Sequence, residues 1–182
     1  MMMMTYRRPT REERTLINRA LDRWGAFEFF QDKVILVEDS NKGSRQVCLV
    51  PQGIIIESAI VQAQPYFAGL VLGELRKEFM PSMQGADLFA RVCRRNEYYV
   101  TVNKNAEQLV LYGRDVMGDS IVEASDRLGE NEVVILLNAK QEAIGIGRTR
   151  FGGKSLLQKG RKDNHDYACR RRVLPERERL TN

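Results

Sequence analysis

The sequence predicts an α+β fold, an N-terminal antiparallel α/β domain followed by a small β unit. Three features predict it. Alternating apolar residues in Tyr99–Val102 and over 109–112 read as strands, while 133–137 is a run of Val, Ile and Leu suited to a strand buried on both faces. Helical spacing marks the first half, where Leu16, Ile17, Ala20, Leu21 and Trp24 share one face. A charged joint at 94–97 separates the halves, giving domains of 1–95 and 96–173 and a charged, solvated tail over 174–182.

Residues 1–8 are expected to be flexible, and Met1 to Met4 carry neither the charged start nor the cleavage site of a signal peptide. Pro9-Thr10-Arg11-Glu12-Glu13 then predicts a helix start, because the Thr10 hydroxyl can accept from the Glu13 amide while the Glu13 carboxylate reaches back. Trp24 is a core anchor and Gly25 a stop signal. Strands are predicted at 26–30, 34–37 and 45–50, with a turn over 39–43 rich in residues that tolerate positive φ. The run 53–63 suits helix or strand by spacing, and Pro51 favours helix. A strand with two glycine bends follows at 69–78, then a helix over 82–94 with Asp87 early and Arg91 and Arg94 late, about three helices in all.

In the second half the spacing predicts strands at 99–102 and 109–112, a helix over 119–127, strands at 133–137 and 144–147 joined by the hairpin turn 138–142, and a short helix at 163–171. The order of strand, Gly113-Arg114-Asp115-Val116, helix, Gly129-Glu130-Asn131-Glu132 turn, apolar strand, turn and Ile144-Gly145-Ile146-Gly147 resembles a PUA domain, a small RNA-binding β pseudobarrel. Asn105-Ala106-Glu107-Gln108-Leu109 leading into Leu111-Tyr112-Gly113 resembles the Nip-seven family of large-ribosomal-subunit biogenesis factors, archaeal type, in which a PUA domain follows an α/β domain of this length. That resemblance implies a non-catalytic factor in pre-rRNA processing that binds single-stranded or loop RNA. Its partners would be assembly or RNA-processing proteins, met through the N-terminal domain. It also implies a cytoplasmic location, nucleolar in a eukaryote.

Charge points the same way. From Arg148 onward there are 11 basic residues against 4 acidic ones, whereas the first 147 positions hold 18 basic and 20 acidic. Attraction for polyanions is therefore concentrated in the last fifth of the chain. The candidate RNA-binding residues are Arg148, Arg150, Lys154, Lys159, Arg161, Lys162 and Arg170, with Phe151 or Tyr167 able to stack a base. Arg148 and Arg150 alternate along a predicted strand end and so share a face. By resemblance, Lys159 and Lys162 match a basic row in archaeal relatives, just before Asp166-Tyr167 and Arg170. Ser155 and Leu156 stand where those relatives have an Arg pair, and His165 where Gly is commoner.

Other chemistries fit less well. Residues 148–155 nearly satisfy the phosphate-cradling pattern G-x-x-x-x-G-K-S, but Arg148 occupies its first position and Gly147 comes one residue early. Val34 to Asp39 resembles an apolar strand ending in a magnesium-binding carboxylate, yet it precedes that loop where the usual order has it follow. An RNA-modifying enzyme would need a cofactor loop or a nucleophile. Glu38 and Asp39 fall in a predicted turn with no His or Cys nearby, and lone His165 lies in a charged loop. Cys48, Cys93 and Cys169 are too scattered for a zinc site and read as free, mostly buried thiols of a reducing cytoplasm. No cofactor and no metal are expected. No apolar stretch approaches the roughly 20 residues that span a bilayer.

Overall fold

The Thr10 cap forms as the sequence predicts: its hydroxyl accepts from the Glu13 amide at 3.3 Å, and the Glu13 carboxylate accepts from the Thr10 amide at 2.9 Å. The computed structural model describes residues 5–39, 43, 45–50, 52–65, 68–157 and 167–171. The chain divides into two units, Met1–Cys93 and Arg94–Asn182. The first holds β1 (Thr5–Arg7), α1 (Arg11–Arg23), α2 (Phe27–Phe30), β2 (Val34–Asp39), β3 (Arg45–Val50), α3 (Ile54–Ala63), β4 (Leu70–Leu75), β5 (Phe79–Pro81) and α4 (Met83–Val92). Its strands form one antiparallel sheet in the order β1-β2-β3-β4-β5.

Successive residues of the central strands are buried, Leu36 with Val37 and Val47 with Cys48, so both faces of the sheet are covered. On one face Tyr6, Leu36, Cys48 and Val50 pack with Ile60 and Val61 of α3. A second cluster is aromatic. Trp24 stacks on Phe89 of α4 at 5.6 Å and tilts against Phe79 of β5 at 6.2 Å, and Phe30 meets Phe89 edge-on. Such pairs add about 0.5–1.5 kcal/mol each beyond the area they bury.

Glu13 does more than close a helix. Buried at 3% exposure, it accepts both ends of the Arg7 guanidinium at 2.7 and 2.9 Å and one nitrogen of Arg45 at 3.1 Å. Arg7 also donates to Asp39 at 2.5 Å. The cluster therefore pins α1, β1, β2 and β3 together. The Arg7 hydrogen bonds hold the Glu13 carboxyl at about 2, against its ordinary 4.5.

Three expectations for this unit change. Residues 5–7, taken as flexible, form β1, because the edge of β2 is open to pairing: Thr5 to Arg7 lie opposite Asp39 to Val37. Residues 26–30, read as a strand from their aromatic content, make the single turn α2, which carries Phe30 into the core against Phe89. The 69–78 strand is a hairpin, folded back so that Leu75 faces Phe79. The turn over 39–43 falls largely outside the described residues, and β2 runs on to Asp39.

The second unit holds β6 (Tyr99–Val102), α5 (Lys104–Leu111), β7 (Val116–Met117), β8 (Ile121–Ala124), β9 (Val133–Leu137), β10 (Ala143–Thr149), α6 (Gly153–Leu156) and β11 (Tyr167–Arg171). The sheet order is β7-β11-β10-β9-β6-β8, antiparallel except for the parallel pair β6 and β9. Every residue of β9 is at most 1% exposed, as its apolar run predicts. Gly145 leaves room for α5, because a Cβ there would lie 2.7 Å from a Val110 methyl.

Here too the periods mislead. The 109–112 strand is the end of helix α5, started by the Asn103 side chain accepting from the Ala106 amide at 2.9 Å and buried through Ala106 and Val110, one helical turn apart. The motif 105–108 is thus helical, and its Glu107 accepts from Asn138 at 3.1 Å. The 119–127 helix is a 3-10 turn at Gly118–Ser120 followed by β8, since β-branched Ile121 and Val122 lie against the open edge of β6. Of the 163–171 helix, 163–166 lie outside the described residues and Tyr167–Arg171 is a strand between β7 and β10.

Replacing Glu13 with Gln should cost about 2–3 kcal/mol near neutral pH, because the buried pair is broken while its arginines keep partial access to water. A depressed carboxyl contributes stability above pH 4.5 and loses it as pH falls toward 2. Urea titrations should therefore show the difference between wild type and E13Q shrinking across that window.

Candidate nucleic-acid interface

Arg148 is held in place by the end of β10. Thr149 beside it organises the 129–132 turn: its hydroxyl donates to the Gly129 carbonyl at 2.8 Å and accepts from the Glu132 amide at 2.9 Å. Arg148 itself donates to the Asn131 carbonyl at 2.6 Å, which ties the end of β10 to the 129–132 turn. In the ladder Arg148 lies directly opposite Arg170, and Gly147 opposite Arg171, so the register sets cationic positions side by side on adjacent strands.

The other candidates are more dispersed. β10 ends at Thr149, so strand alternation does not extend to Arg150, which sits exposed in the following bend with its guanidinium 5.5 Å from the Phe151 ring centre. Lys154 is exposed on α6, which packs toward β8 at the far edge of the sheet. Lys159, Arg161 and Lys162 lie outside the described residues, as does His165.

The near-match to a phosphate loop is occupied by packing. A Cβ on Gly153 would stand 1.8 Å from the Ser125 carbonyl oxygen, and the Gly153 amide already donates to Leu128 at 2.7 Å. The amides of Ser155 and Leu156 donate to Gly152, so this turn has few donors to offer a phosphate. Glu38 also differs from expectation. It lies within β2, where pairing with β3 brings Cys48 to 4.0 Å and pairing with β1 brings the Tyr6 hydroxyl to 3.2 Å. All three are at most 1% exposed. Burial and the neighbouring carboxylate push the Tyr6 phenol up, keeping it a proton donor to Glu38.

Tyr112 and Arg114 carry no signal in a strand reading of 109–112. With 109–112 read as a strand, Tyr112 belonged to a ladder; as the cap residue of α5 it is 85% exposed, and Arg114 two residues on is exposed as well. The available signal was Asn103 as a helix start and Gly113 as a stop. Because Val116 pairs with Cys169, this loop feeds directly onto the edge of β11. An exposed ring beside a cation, next to the strand that carries Arg170 and Arg171, is the arrangement that stacks a base and neutralises its phosphate. The unit also has a cleft of about 770 Å³ lined by Arg94, Arg95 and Arg127, but Glu97 and Glu123 share it, which weakens its pull on a polyanion.

Two family models match successive parts of the chain. The family model "UPF0113 PUA domain" matches residues 98–171, and "NIP7/UPF0113, pre-PUA domain" matches 6–83. A UPF0113 protein of Archaeoglobus fulgidus is 32% identical over 84% of this chain and 83% of its own. A tRNA-guanine(15) transglycosylase of Methanocaldococcus jannaschii is 30% identical over 79 residues, 43% of this chain and 12% of the enzyme. Among solved structures, a conserved PUA domain protein from Thermoplasma acidophilum superposes with a TM-score of 0.66 at 16% identity, covering 96% of this chain and 95% of its own.

Substituting Gly153 with Ala should destabilise the chain by roughly 2–3 kcal/mol through the clash with backbone. Calorimetry with magnesium ATP or GTP on the wild type should register no specific binding. Tight binding lost in Lys154→Ala would restore the phosphate-loop reading.

Proposed function

The chain belongs to the NIP7/UPF0113 family, and from that premise we propose that it is a non-catalytic RNA-binding factor of large-ribosomal-subunit assembly, acting on pre-ribosomal RNA. The observation that carries this is the pairing of Arg148 with Arg170 beside the exposed Tyr112 and Arg114 loop. RNA lies along the β10 and β11 end of the PUA domain, with phosphates on the arginines and a splayed base on Tyr112. Lys159, Arg161 and Lys162 extend the same cationic segment along the chain, and Arg150 and Lys154 add to the field around it. The stretch shared with a tRNA-guanine transglycosylase supports an RNA-holding module that different proteins reuse.

The non-catalytic reading is supported by what two buried carboxylates do. Glu13 is taken up by arginines, and Glu38 is enclosed with Tyr6 and Cys48, so neither is poised against a substrate. Cys48 and Cys93 stand outside any disulfide, which suits a reducing cytoplasm, or the nucleolus of a eukaryote. The first unit meets other assembly or processing proteins.

If about four to six phosphates are neutralised, log K against log salt for single-stranded RNA should slope by about −3 to −4. A flat dependence, read by fluorescence anisotropy, rules out the electrostatic mechanism. Lys159→Ala with Lys162→Ala should lower affinity across all sequences and flatten the slope by about 1.4, leaving the thermal midpoint in place. Tyr112→Ala should cost about 1–3 kcal/mol of RNA binding, again with little change in stability. Wild-type affinity in both variants would move the site elsewhere.

A further inference from the structure

The first unit has a pocket of about 220 Å³ between α1, α2 and β2. Its floor is apolar and fixed, since Ile17, Leu21 and Phe30 are at most 4% exposed and Phe30 belongs to the aromatic core. Small-molecule sites generally enclose about 300–1,000 Å³, so this one admits a single side chain rather than a cofactor. An apolar group seated there is desolvated on several sides, as the anchor residues of protein interfaces are.

Charge selects the kind of chain that brings the anchor. Arg14 and Lys33 line the pocket, and none of its described lining residues is acidic. This is a local feature, because residues 1–93 as a whole carry 12 basic and 11 acidic side chains. Lys33 is held by its ammonium lying 5.3 Å from the Phe29 ring centre, while Arg14 is exposed on α1. Two cations around one apolar socket suit carboxylates flanking one apolar side chain. They are too few to follow a nucleic-acid backbone.

We propose that this pocket docks an acidic segment of a partner protein, seating one aliphatic or aromatic side chain on Ile17, Leu21 and Phe30 while flanking Asp or Glu residues meet Arg14 and Lys33. The site is independent of the RNA surface on the second unit, so either reading can fail alone.

The test uses the full chain and fluorescent peptides Glu-Asp-Xaa-Asp-Glu, with Leu, Phe or Ala in the centre, followed by NMR and anisotropy. The Leu and Phe peptides should bind about tenfold tighter than the Ala peptide and shift the amides of Ile17, Asn18, Gln31 and Lys33. The charge-reversed variant R14E/K33E should lose the acidic peptides about tenfold and gain Lys-flanked ones, with unchanged thermal midpoint and RNA affinity. Equal binding of the Ala peptide, no binding, or shifts away from the pocket would overturn the proposal. So would a loss of RNA affinity in R14E/K33E, which would assign the pocket to nucleic acid.

Discussion

A strand buried on both faces has no water for its amides, so each of its edges must find a partner chain. That constraint governs both units. β2, β3 and β9 are apolar on both sides, and residues that carry little strand signal of their own complete the ladders around them. Residues 5–7 cover β2, 121–124 cover β6, and 167–171 cover β10. Short, weakly patterned segments become strands because an edge is waiting for them.

In the first unit the recruited strand brings charge with it. Arg7 enters with β1 and Arg45 with β3, and both converge on Glu13 at the start of α1. The helix cap, the sheet edge and the ion cluster are one arrangement, and its carboxylate is fully committed to the arginines and the Thr10 amide. The pocket bounded by α1, α2 and β2 lies on the same framework, and its floor belongs to the core.

In the second unit the same recruitment builds the candidate interface. β11 pairs β10 on one side and β7 on the other, which sets Arg170 opposite Arg148 and joins the 112–115 loop to the other edge of the same strand. The glycines nearby serve close packing. Gly145 admits α5 and Gly153 admits the Ser125 backbone, so a stretch that reads locally like a phosphate cradle is a packing turn.

The sequence by itself determined the α+β class, the Thr10 to Glu13 cap, the strands at 34–37, 45–50 and 133–137, and the concentration of positive charge after Arg148. These are local or compositional properties, legible because each residue's period or charge is its own. Only the tertiary structure decided that 109–112 is helix, that 121–124 and 167–171 are strands, and which cation faces which. Leu109, Val110, Leu111 and Tyr112 form a short apolar run in sequence, yet burial follows Ala106 and Val110 at helical spacing, because the surface they pack against is β10. Edge pairing and cross-strand register join residues far apart in the chain, and no window of the sequence contains both partners.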